Sequence, residues 1–122
     1  MLKVVVSLLF VLSFAAVALA QDPVKVDANH YKVEFENEQV RVLRIKVAPG
    51  EKSVMHQHPN AVAIFVTDVN GKFTFPDGKS EAVTSKAGEA RWTPAITHLP
   101  ENTGSQPFEV ILVELKPAAK KD

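Results

Sequence analysis

His56 and His58 are two positions apart in Val54–His58, a segment that reads as a short strand. The side-chain period of a strand is two, so both imidazoles fall on one face and Gln57 on the other, with Cα atoms roughly 6.6 Å apart. Two rings at that spacing can converge on one ion at about 2.0–2.2 Å. H-x-H also arises by chance on surface strands, so the pair needs a third partner, and His98 supplies one further along the chain. Zero cysteines exclude disulfides, thiolate nucleophiles, Cys-ligated zinc and iron–sulfur clusters. Lys+Arg and Asp+Glu both number 14, which leaves no field to draw in nucleic acid. The chain has no G-x-S-x-G, phosphate loop, Ser–His–Asp spacing or basic aromatic stripe. Familiar hydrolases, nucleotide enzymes and nucleic-acid binders are thereby excluded.

The elements that must position these histidines are short strands. With 122 residues the chain allows one domain. After residue 21 no 3.6-residue apolar period is sustained; alternation and β-branched runs recur instead, broken by turn residues. Expected strands are Tyr31–Glu36, Val40–Val47, Val54–His58, Ala61–Thr67, Lys72–Phe75, Glu81–Lys86, Glu89–Thr93 and Phe108–Leu115. Asn70-Gly71 carries a hairpin signal, Pro76-Asp77-Gly78 and Ala87-Gly88 read as turns, and Pro100 to Gln106 reads as a loop. His98 is then expected on the loop side of the site. Short strands joined by tight turns imply an all-β antiparallel sandwich or barrel.

Residues 1–20 are apolar except Lys3, Ser7 and Ser13, and Ala18-Leu19-Ala20 precedes Gln21. A basic start, an apolar run and an A-x-A site form the signature of a secretory signal peptide. A retained membrane anchor competes with this reading, but no basic stop-transfer cluster follows. The expected organisation is a signal peptide at 1–20, a lead-in and first strand at 21–39, a barrel at 40–116 and a flexible tail at 117–122. The expected location is periplasmic or secreted, with no membrane association after cleavage. Ala61–Val66 is apolar on both faces, so a second sheet, an N-terminal strand or another subunit must cover its outside. A homodimer is expected on this ground.

Gly50-x5-His56-x-His58 resembles the first half of motif 1 of the cupin superfamily, and Gly88-x5-Pro94-x3-His98-x3-Asn102 resembles motif 2. The short interval from Gly71 to Gly88 is similar to the spacing in small bacterial cupins, and the resemblance spans about residues 40–115. With Trp92-Thr93-Pro94 and Thr97-His98-Leu99-Pro100-Glu101-Asn102, the chain resembles small exported single-domain cupins. The resemblance implies an antiparallel double-stranded β-helix, the jelly-roll barrel. Two departures stand out. Val62 and Ala63 occupy the positions where motif 1 continues with a Glu ligand. Ile96 occupies a glycine position of motif 2, where a β-branched residue would be strained at positive φ, so the turn before His98 must have another shape or be strained.

The resemblance implies that His56, His58 and His98 hold a divalent metal ion, with iron, manganese, zinc, nickel and copper all compatible with imidazole. Loss of the Glu leaves positions open for water, oxygen or a chelating ligand, as in the three-His iron centres of some cupin-fold dioxygenases. The implied function is a metal-dependent oxygenase or related enzyme acting on a small oxygen-rich molecule. The alternatives are a non-catalytic cupin that binds a small ligand or the metal, and a degenerate cupin with a structural or interaction role. No catalytic residue is assigned. Asn102, at its motif position, is expected to brace its loop. Glu101 is expected to face solvent from a loop, and His30 to be an exposed polar residue. Arg91 and Trp92 lie on opposite faces of one strand, so one of them looks inward. Tyr31 and Phe73 could line a pocket, with core packing the default for aromatics in strands.

Overall fold

The computed structural model describes residues 21–118. The expected signal peptide and residues 119–122 of the expected tail lie outside the described residues. Among the described residues no helix is long and apolar enough to cross a membrane. A single helical turn, α1 (Pro23–Val26), precedes nine strands: β1 (Tyr31–Glu36), β2 (Val40–Val47), β3 (His56–His58), β4 (Ala61–Phe65), β5 (Val69–Thr74), β6 (Ser80–Ser85), β7 (Ala90–Thr93), β8 (Ile96–Asn102) and β9 (Phe108–Leu115). They form a five-stranded sheet, β1-β2-β9-β4-β7, and a four-stranded sheet, β3-β8-β5-β6, and every pairing is antiparallel. The expected all-β double-stranded β-helix is the observed architecture.

The two faces of the five-stranded sheet follow from register. Leu43 lies opposite Leu112, which lies opposite Ala63, while Ile45 pairs with Val110 and Val110 with Phe65. These six are buried and form the core together with Tyr31, Val47 and Phe108. The opposite parity points outward. One row crosses all five strands: Phe35, Val42, Val113, Val62 and Trp92, each opposite the next. Phe35 reaches that face because β1 slips register between Val33 and Phe35, as a bulge moves later side chains to the other face. Phe35 is 52% exposed and Trp92 54%. Neither another sheet nor the N-terminal segment covers this row among the described residues.

Three local expectations are corrected. Asn70-Gly71 is not a hairpin turn; both residues lie within β5, opposite Thr84 and Val83. Gly71 is needed there because a Cβ would come within 2.7 Å of the Glu101 carbonyl oxygen. Residues 100–102 are not loop; they finish β8 against β5, and His98 sits mid-strand opposite His56 on β3. The Pro and Asn in this stretch mislead because Pro100 accepts from Ser53 N without needing to donate. Ile96 belongs to the same strand, opposite His58, and no non-glycine residue among those described has positive φ. The glycine position of the motif is thus occupied by a strand residue without strain.

Candidate metal centre

β3 is only three residues long, yet it fixes two imidazoles on one face. His56 and His58 are buried, whereas Gln57 between them is exposed. β8 pairs His98 directly opposite His56, which brings the third imidazole onto the same face. All three are buried and can each offer a nitrogen within 4.8 Å of the others'. Their rings meet edge to face, with centroids 4.7 to 5.3 Å apart. Tyr31 closes against His56 at 4.8 Å and Phe73 against His98 at 4.3 Å.

The outer ring nitrogens decide what the inner ones can do. His58 Nδ1 donates to Glu114 Oε2 at 2.7 Å, and His56 Nδ1 donates to the Val54 carbonyl at 2.8 Å. Each Nε2 is then left with a lone pair, the state a metal ligand requires. The two Nε2 atoms lie 2.9 Å apart. Lone pairs facing each other at that distance repel unless a cation or a proton lies between them. It is also about the edge that two nitrogens at ~2.1 Å from one ion span at a right angle. Both nitrogens of His98 are buried with no hydrogen-bond partner among the described residues. An unpartnered buried polar group costs about 1–3 kcal/mol and calls for a reason; an ion held by all three rings accounts for the lone-pair nitrogen of His98. The donor set therefore fits a divalent ion of the imidazole-preferring kind.

Burial favours the neutral form of His56 and His98. Burial depresses His98 to about 2, assisted by His58 and His56. Burial also lowers His56 to about 4, assisted by His58. Glu114 is 2% exposed. Burial pushes its carboxyl up, but hydrogen bonds from His58 and Arg41 win and hold it below the usual carboxylate range. Arg41 Nε donates to Glu114 Oε1 at 2.7 Å, and its two terminal nitrogens donate to Asp22 at 2.7 and 3.1 Å. The resulting chain runs Asp22–Arg41–Glu114–His58.

Glu114 was not among the sequence candidates. In the structure Arg41 shares its face with Leu43, Ile45 and Val47, and Glu114 shares its face with Phe108, Val110 and Leu112. Two opposite charges stand on core faces, and β2–β9 register places them opposite each other. Sequence could not show this, because the other face of β9 is equally apolar. The expected loss of the motif 1 Glu holds: Val62 points outward and Ala63 into the core. Asn102 braces its neighbourhood as expected. Its side chain donates to the Val47 and Gln106 carbonyls and accepts from Gly104 N. His30 is corrected from an exposed residue to a half-buried one held between Asp27 and Glu51. Glu101 is half-buried on β8, 3.4 Å from Lys72 Nζ, and not in a solvent-facing loop.

A cavity of about 570 Å³ lies between the sheets and reaches His58 and His98. Phe65, Phe73, Phe75 and Phe108 give it an aromatic wall, and Tyr31 also lines it. Arg91 shares the inward parity of β7 with its guanidinium 5.4 Å over the Phe65 ring, and Trp92 points outward. Its volume is within the range of pockets that take small organic ligands.

The family model described as "Cupin domain" matches residues 43–114. No curated protein matches the chain. Among solved structures it is similar to a cupin domain from Bordetella pertussis Tohama I, at 24% identity and a TM-score of 0.66, over 71% of this chain and 92% of that one. It is also similar to an RmlC-like cupin family protein with a double-stranded β-helix fold from Methanocaldococcus jannaschii. There the identity is 22% and the TM-score 0.55, over 73% of this chain and 83% of that one. These likenesses speak for the fold.

Proposed function

This chain belongs to the cupin domain family, and from that membership and its three facing imidazoles we propose that it binds a divalent metal ion through His56, His58 and His98, together with a small oxygen-rich molecule, outside the cytoplasm. The observation that carries the reading is the pairing of pinned Nδ1 atoms on β3 with a partnerless His98 opposite. A bound ion would polarise an oxygen donor of the ligand and, if redox-active, support oxygenase chemistry. The chain's own residues do the rest. The phenylalanine wall gives the ligand an apolar surface beside the imidazoles. Burial pushes the Tyr31 phenol up, so it stays protonated. Arg91, at the cavity wall and paired with Glu89 at 3.0 Å, is the cation within reach of an anionic group on the ligand. The secretory leader signature at residues 1–20 supports the location.

Elemental analysis of protein purified without a polyhistidine tag tests the metal reading. Stoichiometric metal in the parent and its loss in His56→Ala are the expected results. Retention of metal by the double variant His56→Ala, His98→Ala sinks the ligand assignment. Substrate-dependent oxygen uptake by the iron-loaded form separates an enzyme from a binding protein. We further propose that a second copy of the chain covers the Phe35–Val42–Val113–Val62–Trp92 row. The continuous apolar row across five strands supports this.

A further inference from the structure

Each β3 imidazole is held at Nδ1 from outside its own strand, but by different means. His58 meets the Glu114 carboxylate directly. His56 meets a hydroxyl: Ser53 Oγ lies 3.3 Å from His56 Nδ1 and donates to Asp27 Oδ2 at 2.5 Å. With its hydrogen committed to Asp27, the Ser53 oxygen can only accept; His56 Nδ1–H faces it, shared with the Val54 carbonyl, and the Tyr31 hydroxyl also reaches it. Asp27 is in turn fixed by His30, whose Nδ1 lies 2.9 and 2.8 Å from the two carboxylate oxygens. His30 Nε2 donates to Glu51 Oε2 at 2.6 Å. Both ring nitrogens of His30 thus face carboxylates, and Asp27 is clamped between a ring and a hydroxyl. Asp27 is the C-cap of α1 and belongs to the lead-in, which lies before the matched family region at 43–114.

We propose that Asp27, acting through Ser53, is a positioning residue for the metal ligand His56, so that the lead-in segment tunes a centre built on β3 and β8. The physical reason is that a negative charge behind a hydrogen-bonded Nδ1–H raises the electron density at Nε2 and fixes the ring's rotation. A short charge-assisted hydrogen bond from hydroxyl to carboxylate carries that influence across one side chain. The inference rests on the three-His metal reading above.

The test uses cobalt(II) as the probe, with affinity measured by chelator competition and the visible spectrum of the bound ion recorded alongside. Both are taken well below the melting midpoint of each metal-free protein. Ser53→Ala and Asp27→Asn are each expected to weaken cobalt(II) binding about tenfold and to shift its visible bands. Ser53→Thr, which keeps the hydroxyl, is expected to restore the parent affinity. A purely structural role would lower the melting midpoint and leave affinity and spectrum unchanged. The relay is overturned if either Ser53→Ala or Asp27→Asn binds as the parent does while His56→Ala abolishes binding, because it needs both members. If the parent itself takes up no cobalt(II), or His56→Ala keeps it, the metal reading fails and the relay with it. The two failures are therefore told apart in one set of titrations.

Discussion

The inner end of the barrel at β3 and β8 and the outer face of the five-stranded sheet depart from the usual partition of residues in opposite directions. Inside, three histidines and a Glu–Arg pair occupy core positions. Outside, Val62, Val113, Ile64 and Trp92 stand where polar residues belong. Buried polar groups and broad apolar surfaces are the informative deviations, since isolated exposed apolar residues are ordinary. Hydrogen bonds satisfy Glu114, Arg41 and both Nδ1 atoms on β3, and they leave over the facing Nε2 pair and, among the described residues, the two nitrogens of His98. The outer one has no compensation among the described residues. One therefore points to a ligand that enters, and the other to a surface that docks.

The largest effect should come from cutting the inner compensation. Glu114→Ala strips His58 Nδ1 and Arg41 Nε of their acceptor, and denaturant unfolding should show a loss of about 3–5 kcal/mol. A variant of parental stability would mean that Asp22 alone satisfies Arg41 and that the buried carboxylate is not structural. His98→Leu should act in the other direction on stability. Removing two partnerless buried nitrogens should leave the metal-free protein as stable or raise it by about 1–3 kcal/mol, while metal uptake disappears. Destabilisation of the metal-free form would show that His98 has a partner other than an ion.

Acid should separate the regions next. His56 and His98 are held at about 4 and about 2 in the folded protein, against an ordinary 6.5. The unfolded chain thus binds more protons below 6.5, so their contribution is present above that pH and is lost as pH falls toward 4 and then 2. Melting midpoints of the metal-free protein should drop between pH 7 and pH 4, and the drop should shrink in the double variant His56→Leu, His98→Leu. An equal drop in both would assign the acid sensitivity elsewhere. The smallest effect on the isolated chain is expected outside. Trp92→Lys, at a position 54% exposed, should change monomer stability by no more than about 0.5 kcal/mol, as surface substitutions do, yet convert a sedimenting dimer to monomer. A parent that sediments as a monomer at high micromolar concentration removes the proposed second copy.

Much of this was legible before any coordinates. Tyr31–Glu36, Val40–Val47 and Phe108–Leu115 have the bounds expected of them: the first two are marked by alternation, the last by an apolar β-branched run after a Pro- and Gly-containing loop. β8 was hidden. Its Pro100, Glu101 and Asn102 have poor strand propensity, and the strand is sustained by β3 pairing with its first half and β5 with its second. Gly71 was misjudged for the same reason: a local turn signal lost to a close approach of the Glu101 backbone.

The sequence by itself determined the fold class and the residue types of the centre. Period two puts His56 and His58 on one face whatever else the chain does, and the absence of cysteine leaves imidazole as the main nitrogen or sulfur donor. Only the tertiary structure decided who stands behind those rings. Glu114 reaches His58 across 56 positions and Asp27 reaches Ser53 across 26. Such pairings are set by strand register and by the packing of the lead-in against β3. Neither leaves a local pattern, because a charge on an inward parity looks the same in sequence as one on an outward parity until the sheets close.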